Sequence, residues 1–211
     1  VGYRDVEGAV YVGTWRDGKE HGAGAELRAL AAADTAAWRR RRAAGVGGVG
    51  GSFRSAESAL ATAAWASERA ASPGCIYRGA WADGRRHGGG VHVAVGSGWS
   101  VAGSWVDGCV EGEAAACHVD GGRLLKFEGT WRDGEPEGFG REERRHVDVR
   151  SDSDGGDGAL IERYEGEWAG GVRSGVGRLW LAGGAWYVGG FVNDMAHGHG
   201  CLMGGDDRAL F

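Results

Sequence analysis

The chain has 211 residues, of which 44 are glycine, 10 are tryptophan and only 2 are proline, and its formal net charge is −5. Such a composition predicts many short strands joined by tight turns and excludes a disordered linker, since tryptophan-rich chains have apolar surface to bury. The acidic balance excludes a general attraction to nucleic acid, and no stretch is apolar and long enough to predict a transmembrane helix.

One phrase recurs along the sequence: an aromatic residue, a glycine and a second aromatic residue at alternate positions, then a turn, then Gly-x-Gly. The first copy contains Tyr11, Gly13 and Trp15, followed by Asp17-Gly18. Copies recur every 23 to 26 residues apart from two longer gaps, which predicts a repeat array rather than one globular enzyme. The six copies begin at Tyr11, Tyr77, Val101, Phe127, Tyr164 and Tyr187.

Each copy has the pattern of a β-hairpin. Residues at alternate positions share one face of a strand, so both aromatics and the glycine between them should face the same side. Four copies then carry Asp-Gly, which suits a hairpin turn; Gly170-Gly171 serves equally, and Asn193-Asp194 is the weaker signal. The prediction is an all-β fold, an elongated, twisted, single-layer antiparallel sheet of about six stacked hairpins, or twelve strands.

Stacked hairpins would align the aromatic residues in two neighbouring rows. The principal interpretation is structural, because such rows supply a thin core to a single sheet. The alternative is a groove that binds a partner. The residues proposed as partner contacts are Tyr77, Trp81, Trp105, Phe127, Trp131, Tyr164, Trp168 and Tyr187.

Two insertions interrupt the array. Residues 29–72 are rich in Ala, Arg and Gly; the stretches 29–44 and 55–70 are predicted to be helical, or else the hairpin arms lengthen there. A charged loop is predicted over 141–160. Insertions in repeat arrays often carry specific contacts. The first insertion adds four candidate partner-binding residues, for protein or for anionic lipid: Arg39, Arg40, Arg41 and Arg42.

The phrase resembles the MORN repeat (membrane occupation and recognition nexus), whose pattern is close to Y-x-G-x-W-x-x-G-x-x-H-G-x-G. The copies at Tyr11 and Tyr77 match at every fixed position, and the copy at Val101 is the weakest. The resemblance implies a ribbon of hairpins used as a scaffold, with no catalytic residues. Family members are found in ciliary axonemes, in cytoskeletal and membrane-junction assemblies, and as leading segments of lipid kinases.

Other chemistry finds little support in the sequence. The glycines of 45–50 match a dinucleotide fingerprint but follow an arginine run instead of a strand. The acidic residues of 152–157 are wrongly spaced for a calcium loop. His197, His199 and Cys201 alternate and could be zinc ligands, but His197 is already explained as a repeat residue. We therefore expect no catalytic residue, cofactor, metal, nucleic acid or small-molecule substrate.

The sequence thus predicts one repeat array over residues 1–211, expected to be a fragment of a longer chain. The predicted function is a non-enzymatic scaffold and protein-protein interaction module in a cytoplasmic, cytoskeletal assembly, specifically a ciliary or flagellar axoneme, with self-association through sheet edges. The alternatives are a module that recognises membranes or phosphoinositides, and a regulatory segment of a larger enzyme such as a lipid kinase.

Overall fold

A computed structural model describes residues 2–6, 9–28, 74–94, 98–120, 122–146 and 158–205. The predicted helical stretches of the 29–72 insertion, and Arg39 to Arg42 with them, lie outside the described residues. So does most of the second insertion, but residues 141–146, for which the sequence predicts a charged loop, instead continue a strand.

The described residues form one antiparallel sheet, and each strand pairs only with its neighbours in the sequence. The predicted all-β class and the stacked hairpins are confirmed, and the described part of the chain contains no helix. The described residues form thirteen strands rather than twelve, because residues before the first copy also pair. The strands are β1 Gly2–Val6, β2 Ala9–Arg16, β3 Lys19–Arg28, β4 Cys75–Ala82, β5 Arg85–Ala94, β6 Trp99–Val106, β7 Cys109–Asp120, β8 Arg123–Arg132, β9 Glu135–His146, β10 Leu160–Ala169, β11 Val172–Leu181, β12 Trp186–Val192 and β13 Met195–Met203.

From the second hairpin onward, the turn of each hairpin also joins it to the hairpin before. Both central residues of a turn have positive φ, for example Asp83 at 50° and Gly84 at 84°, as hairpin turns of this type require. The Gly84 N–H donates a hydrogen bond of 2.9 Å to the carbonyl of Glu20 in the preceding hairpin. Equivalent bonds are donated by Gly108, Gly134, Gly171 and Asp194.

The two glycines of Gly-x-Gly have different roles. The first lies at an irregularity of the ladder and has positive φ, 75° at Gly22 and 65° at Gly88, which disfavours any side chain there. The second faces the glycine of the first strand across the ladder, as Gly90 faces Gly79. A methyl group on Gly90 would overlap the ring of Tyr77. The glycine pair is therefore the seat on which the tyrosine ring lies.

The aromatic rings form a zigzag on one face of the sheet. The first aromatics that are followed by another hairpin each make an edge-to-face contact with the second aromatic of their own hairpin and another with that of the next; they are Tyr11, Tyr77, Phe127 and Tyr164. Tyr77 lies with its ring centroid 5.3 Å from Trp81 and 5.3 Å from Trp105. Indole N–H groups tie the hairpins further, since Trp105 donates to the carbonyl of Gly90 at 3.2 Å. This face of the sheet is the hydrophobic core.

The third hairpin keeps the backbone of its neighbours although its first aromatic is missing. Val101 is buried where the other copies have Tyr or Phe. The glycine that would form half of the ring seat is Ala114, which pairs with Gly103. The methyl of Ala114 thus occupies space that a ring would need, and the zigzag of first and second aromatics is interrupted between Trp105 and Trp131, because Val101 stands at the position of the first aromatic.

Candidate interaction surfaces

The sequence-predicted aromatic contacts lie in the core. Seven of the eight named rings are no more than 7% exposed, and Tyr77, Phe127 and Tyr164 are completely buried. Tyr187 is only partly buried. Their role as partner contacts stays a prediction that this burial disfavours, because a buried ring offers no surface to a second molecule.

A buried ionic cluster lies beside these rings, which sequence reasoning did not predict. Glu142 is 1% exposed and lies 2.5 Å from the Arg173 guanidinium and 3.0 Å from that of Arg144. Arg173 also contacts Glu162 and lies 4.9 Å from the ring centroid of Tyr164. Burial alone would raise the pKa of Glu142, but the two guanidiniums outweigh it and lower that pKa. The carboxylate therefore stays charged within the core.

A second polar cluster surrounds Cys75 at the other end of the core. The Arg86 guanidinium lies 3.8 Å from the Cys75 sulfur and 3.4 Å from a Glu26 oxygen. Burial raises the pKa of the Cys75 thiol, but hydrogen bonding to His92 and the charge of Arg86 outweigh burial, so the pKa is lowered. Because Cys75 is only 3% exposed, its thiol has no open approach for a substrate.

The sequence indicates both clusters through the position that their charged residues occupy in the repeat. Glu26, His92 and Glu142 each lie two residues after the second glycine of Gly-x-Gly, directly across the ladder from a first aromatic or from Val101. Alternation places that position on the core face, so a charged residue there needs a buried partner. The partners Arg86 and Arg173 come from the position opposite the tryptophan.

The face opposite the core, here called the outer face, has two chemically different halves. On the first half, over β2 to β5, six aliphatic residues lie on adjacent strands and form the apolar patch. From β8 onward the same two rows across the sheet carry alternating charges and form the charged ladder. The apolar patch consists of Val10, Val12, Leu27, Ile76, Val91 and Val93, and the exposed Arg78 lies among them, paired with Val91. The charged ladder consists of Lys126, Glu128, Arg141, Glu143, Arg163, Glu165 and Arg178.

The charged ladder largely neutralises itself. Arg141 lies 3.2 Å from Glu143 and 3.7 Å from Glu165, and Arg163 also contacts Glu165. At its end the Arg178 guanidinium lies 4.7 Å from the ring of Trp186 and 5.5 Å from that of Trp180. Pairs and stacks of this kind fix the long side chains, and they leave the ladder without a strong charge of either sign.

The described residues contain neither a cluster of metal ligands nor a helix that could span a membrane. His197, His199 and Cys201 lie on β13, yet among the described side chains no group of three potential ligands is arranged to hold a metal ion. In the same part of the chain, no helix has the length and apolar character needed to cross a bilayer.

Comparison with protein families accounts for the repeated geometry. The model of the MORN repeat matches five segments, residues 11–27, 77–93, 127–144, 164–185 and 187–207. The chain contains five MORN repeats. The hairpin that begins at Val101 is not matched, although its strands and its Asp107-Gly108 turn repeat the geometry of the others. Comparison with curated proteins gives no match to this chain.

MORN repeats generally mediate protein or lipid interactions and are typically non-catalytic. The candidate surfaces are therefore those that the core leaves open. One is the outer face, where Phe139 is 66% exposed and Val176 is 63% exposed. Another is β13, which pairs with β12 alone among the described strands and is exposed from Met195 to Gly200.

Proposed function

We propose that this MORN-repeat chain is a non-enzymatic scaffold that holds other proteins along its outer face. Its hydrophobic core lies on one sheet and consists of aromatic rings packed on glycine pairs, and backbone hydrogen bonds from the turns join neighbouring hairpins. The thirteen strands at about 4.8 Å spacing would extend about 60 Å. A long sheet with one face free for contacts is suited to hold partners at fixed positions.

The observation that carries the proposal is the exposure of large apolar side chains at the second half of the outer face. Phe139 of β9 and Val176 of β11 each lie between the two glycines of their Gly-x-Gly, and Phe139 pairs with Glu167 of the strand between them, β10. Aromatic anchors surrounded by polar groups are typical of protein contacts, and an isolated sheet gains nothing from an exposed phenylalanine.

The edge of β13 that pairs with no other described strand gives a second type of contact. An edge strand presents backbone N–H and C=O groups that an extended segment can pair with. Self-association would use the same groups of a second copy, and its concentration dependence would separate it from binding of a different protein.

Within this function we propose a cytoplasmic, cytoskeletal assembly, and specifically a ciliary or flagellar axoneme. The support is the resemblance to MORN proteins of axonemes together with the Ala, Gly and Arg bias of the chain, which is typical of GC-rich genomes. Cross-linking and mass spectrometry on detergent-extracted cells should then recover axonemal neighbours. Release of the protein into the detergent-soluble fraction without stable neighbours would contradict it.

A matched pair of variants tests the surface itself. Phe139→Ser should remove the cross-links to neighbours without unfolding the sheet, because the ring is mostly outside the core. Val119→Ser is the control, since Val119 is also an exposed apolar residue, at 45%. Equal cross-linking by Phe139→Ser and the parent protein would refute this surface as the contact.

The second candidate is recognition of anionic lipid through Arg39 to Arg42. A basic cluster gives binding to vesicles with phosphatidylserine or phosphoinositide that falls steeply with salt. Changing all four arginines to alanine should abolish this binding, and binding that is insensitive to salt would exclude the candidate. A role as regulatory segment of a larger enzyme would require a catalytic domain elsewhere in the same polypeptide.

A further inference from the structure

Consecutive hairpins of the sheet meet in one repeated arrangement. The second strand of a hairpin brings Gly-x-Gly, and the first strand of the next hairpin brings Gly-x-aromatic in antiparallel register. At the junction of β5 and β6, Gly88 pairs with Trp105 and Gly90 pairs with Gly103. The same register joins β3 to β4, β7 to β8, β9 to β10 and β11 to β12, with Ala114 in place of the second glycine of β7. Each receiving strand that another hairpin follows is therefore paired with a strand of the Gly-x-aromatic type.

Three contacts hold the incoming strand at such a junction. The ring centroid of Trp105 lies 5.3 Å from that of Tyr77 in the preceding hairpin. The indole N–H of Trp105 donates to the carbonyl of Gly90 at 3.2 Å. The turn that follows adds the backbone hydrogen bond of 2.9 Å from Gly108 to the carbonyl of Arg86. Two of these contacts use the tryptophan, so the second aromatic is the residue that anchors an incoming strand.

Strand β13 is a receiving strand that no described strand follows. Its Gly-x-Gly spans residues 198–200, and Gly200 pairs with Gly189 to seat the ring of Tyr187. The Tyr187 ring contacts that of Phe191 in its own hairpin, at 5.4 Å between centroids. Among the described side chains no second aromatic ring contacts Tyr187, so the position that an incoming aromatic takes elsewhere in the sheet is not filled by them.

Burial differs accordingly between β13 and the receiving strands inside the sheet. Two residues before the first glycine, Val110 and Arg173 are buried, whereas the equivalent Ala196 is exposed. The second glycine of β11, Gly177, is buried, whereas Gly200 is exposed. The surface that a following hairpin covers elsewhere is thus open at β13.

The described edges of a second copy do not carry the incoming half. Because β13 contains no aromatic residue, two β13 strands paired about a two-fold axis would leave the position over Tyr187 unfilled. The other edge strand, β1, runs in the same direction as β13, since neighbouring strands are antiparallel and both strands are odd-numbered. With the core faces on one side it would add in parallel, unlike every junction of the sheet. The strands that do carry Gly-x-aromatic are already paired on both sides, so a different polypeptide fits better than a second copy.

We propose that β13 receives an extended strand of another polypeptide that carries Gly-x-Trp or Gly-x-Phe. The incoming glycine lies opposite Gly200 and the aromatic lies opposite Gly198, with its ring against Tyr187. The residue two places before that glycine is apolar and lies opposite Leu202, as Tyr187 lies opposite Leu179 of β11. This inference rests on the proposed scaffold function, since it defines which protein segment the scaffold holds at its β13 edge.

A peptide with the sequence of β8, Arg123–Arg132, tests the proposal. Its Gly129 and Trp131 correspond to the incoming glycine and aromatic. At concentrations on the order of millimolar, which reveal even a weak strand contact, the peptide should slow amide hydrogen exchange in β13 of the full chain and leave β1 unchanged. A peptide with Trp131→Ser has the same charge and length and should bind about tenfold more weakly, because it lacks the anchor. Fluorescence anisotropy of dye-labelled peptides gives both dissociation constants.

A change in the protein identifies the ring contact. Tyr187→Val removes the ring that the incoming tryptophan meets, so it should weaken binding of the parent peptide and leave the Trp131→Ser peptide almost unaffected. His199→Ser is the matched control and should leave both dissociation constants unchanged, because His199 is exposed on the outer face of the same strand. Far-UV circular dichroism shows whether the sheet is intact in both variants.

Three results would overturn the proposal: unchanged exchange in β13, equal binding of the parent and Trp131→Ser peptides, and equal effects of Tyr187→Val on the two peptides. Dimers of the chain alone that protect β13 as the protein concentration rises would also overturn it, since a second copy would then be the occupant. None of these results alters the cross-linking test at Phe139. The failure of this inference is therefore distinguishable from failure of the proposed function.

Discussion

The third hairpin permits a test of how the glycine pair accommodates an aromatic ring, because it lacks both the ring and one of the two glycines. Val101 stands where a ring should be, and Ala114 stands where the seat requires glycine. Restoring both with Val101→Tyr and Ala114→Gly should place a new ring between Trp105 and Trp131. The zigzag of aromatic contacts would then be continuous.

The expected magnitudes follow from the geometry of the intact seats. Val101→Tyr alone should cost about 1–3 kcal/mol of unfolding free energy, because its ring would meet the methyl of Ala114. Ala114→Gly alone should cost about 1–2 kcal/mol, through a lost buried methyl and a more flexible strand. With the seat present, two new ring contacts contribute about 0.5–1.5 kcal/mol each. The double variant should therefore be at least about 1.5 kcal/mol more stable than the sum of the single changes predicts.

The assay is urea unfolding of the four proteins, followed by far-UV circular dichroism and tryptophan fluorescence. Agreement of the two signals shows whether the array unfolds as one unit, which repeat arrays do not always do. The second hairpin supplies the reverse cycle as a control. There Gly90→Ala should be destabilising because the methyl overlaps the Tyr77 ring, and Tyr77→Val should partly relieve that cost.

Additive effects within about 0.5 kcal/mol in both cycles would refute the reasoning. The glycine would then be required for strand geometry alone, and its pairing with the aromatic residue would be incidental.

Three further predictions concern the core. Trp131→Ala should cost about 3–5 kcal/mol in urea unfolding because the ring is 2% exposed, whereas Val119→Ala should cost under about 0.5 kcal/mol. The pKa of Glu142 is lowered in the folded protein, so its contribution to stability is present above its unfolded pKa of about 4.3 and is lost as the pH falls below that value. Glu142→Gln should therefore reduce the free energy of unfolding at pH 7 and weaken its dependence on pH between about pH 5 and 3. An unchanged dependence on pH in this range would contradict the prediction. Burial raises the pKa of Tyr77 to about 12, so stabilisation from its neutral phenol is present below pH 10 and is lost as pH rises towards 12; alkaline titration at 295 nm should show this late ionisation, absent in Tyr77→Phe.

The sequence determined the hairpin array because every copy contains the residues that set its own local geometry. Alternating aromatics assign one face, and Asp-Gly assigns the turn, which the structure confirms with φ of 50° at Asp83 and 84° at Gly84. The weak Asn193-Asp194 signal also forms a turn with positive φ at both residues. These are interactions between residues close in sequence, so a pattern can report them.

The pairing between hairpins was decided only by the tertiary structure. Which arginine reaches Glu142, and which aliphatic residues meet across strands, depend on the register of one hairpin against the next. That register is set by long-range contacts such as the bond from Gly84 to Glu20, which join residues 64 apart in sequence. The sequence by itself therefore determined the repeating unit, whereas the burial of its rings and the division of the outer face arose only when the units were stacked, because both are properties of neighbouring hairpins rather than of any one copy.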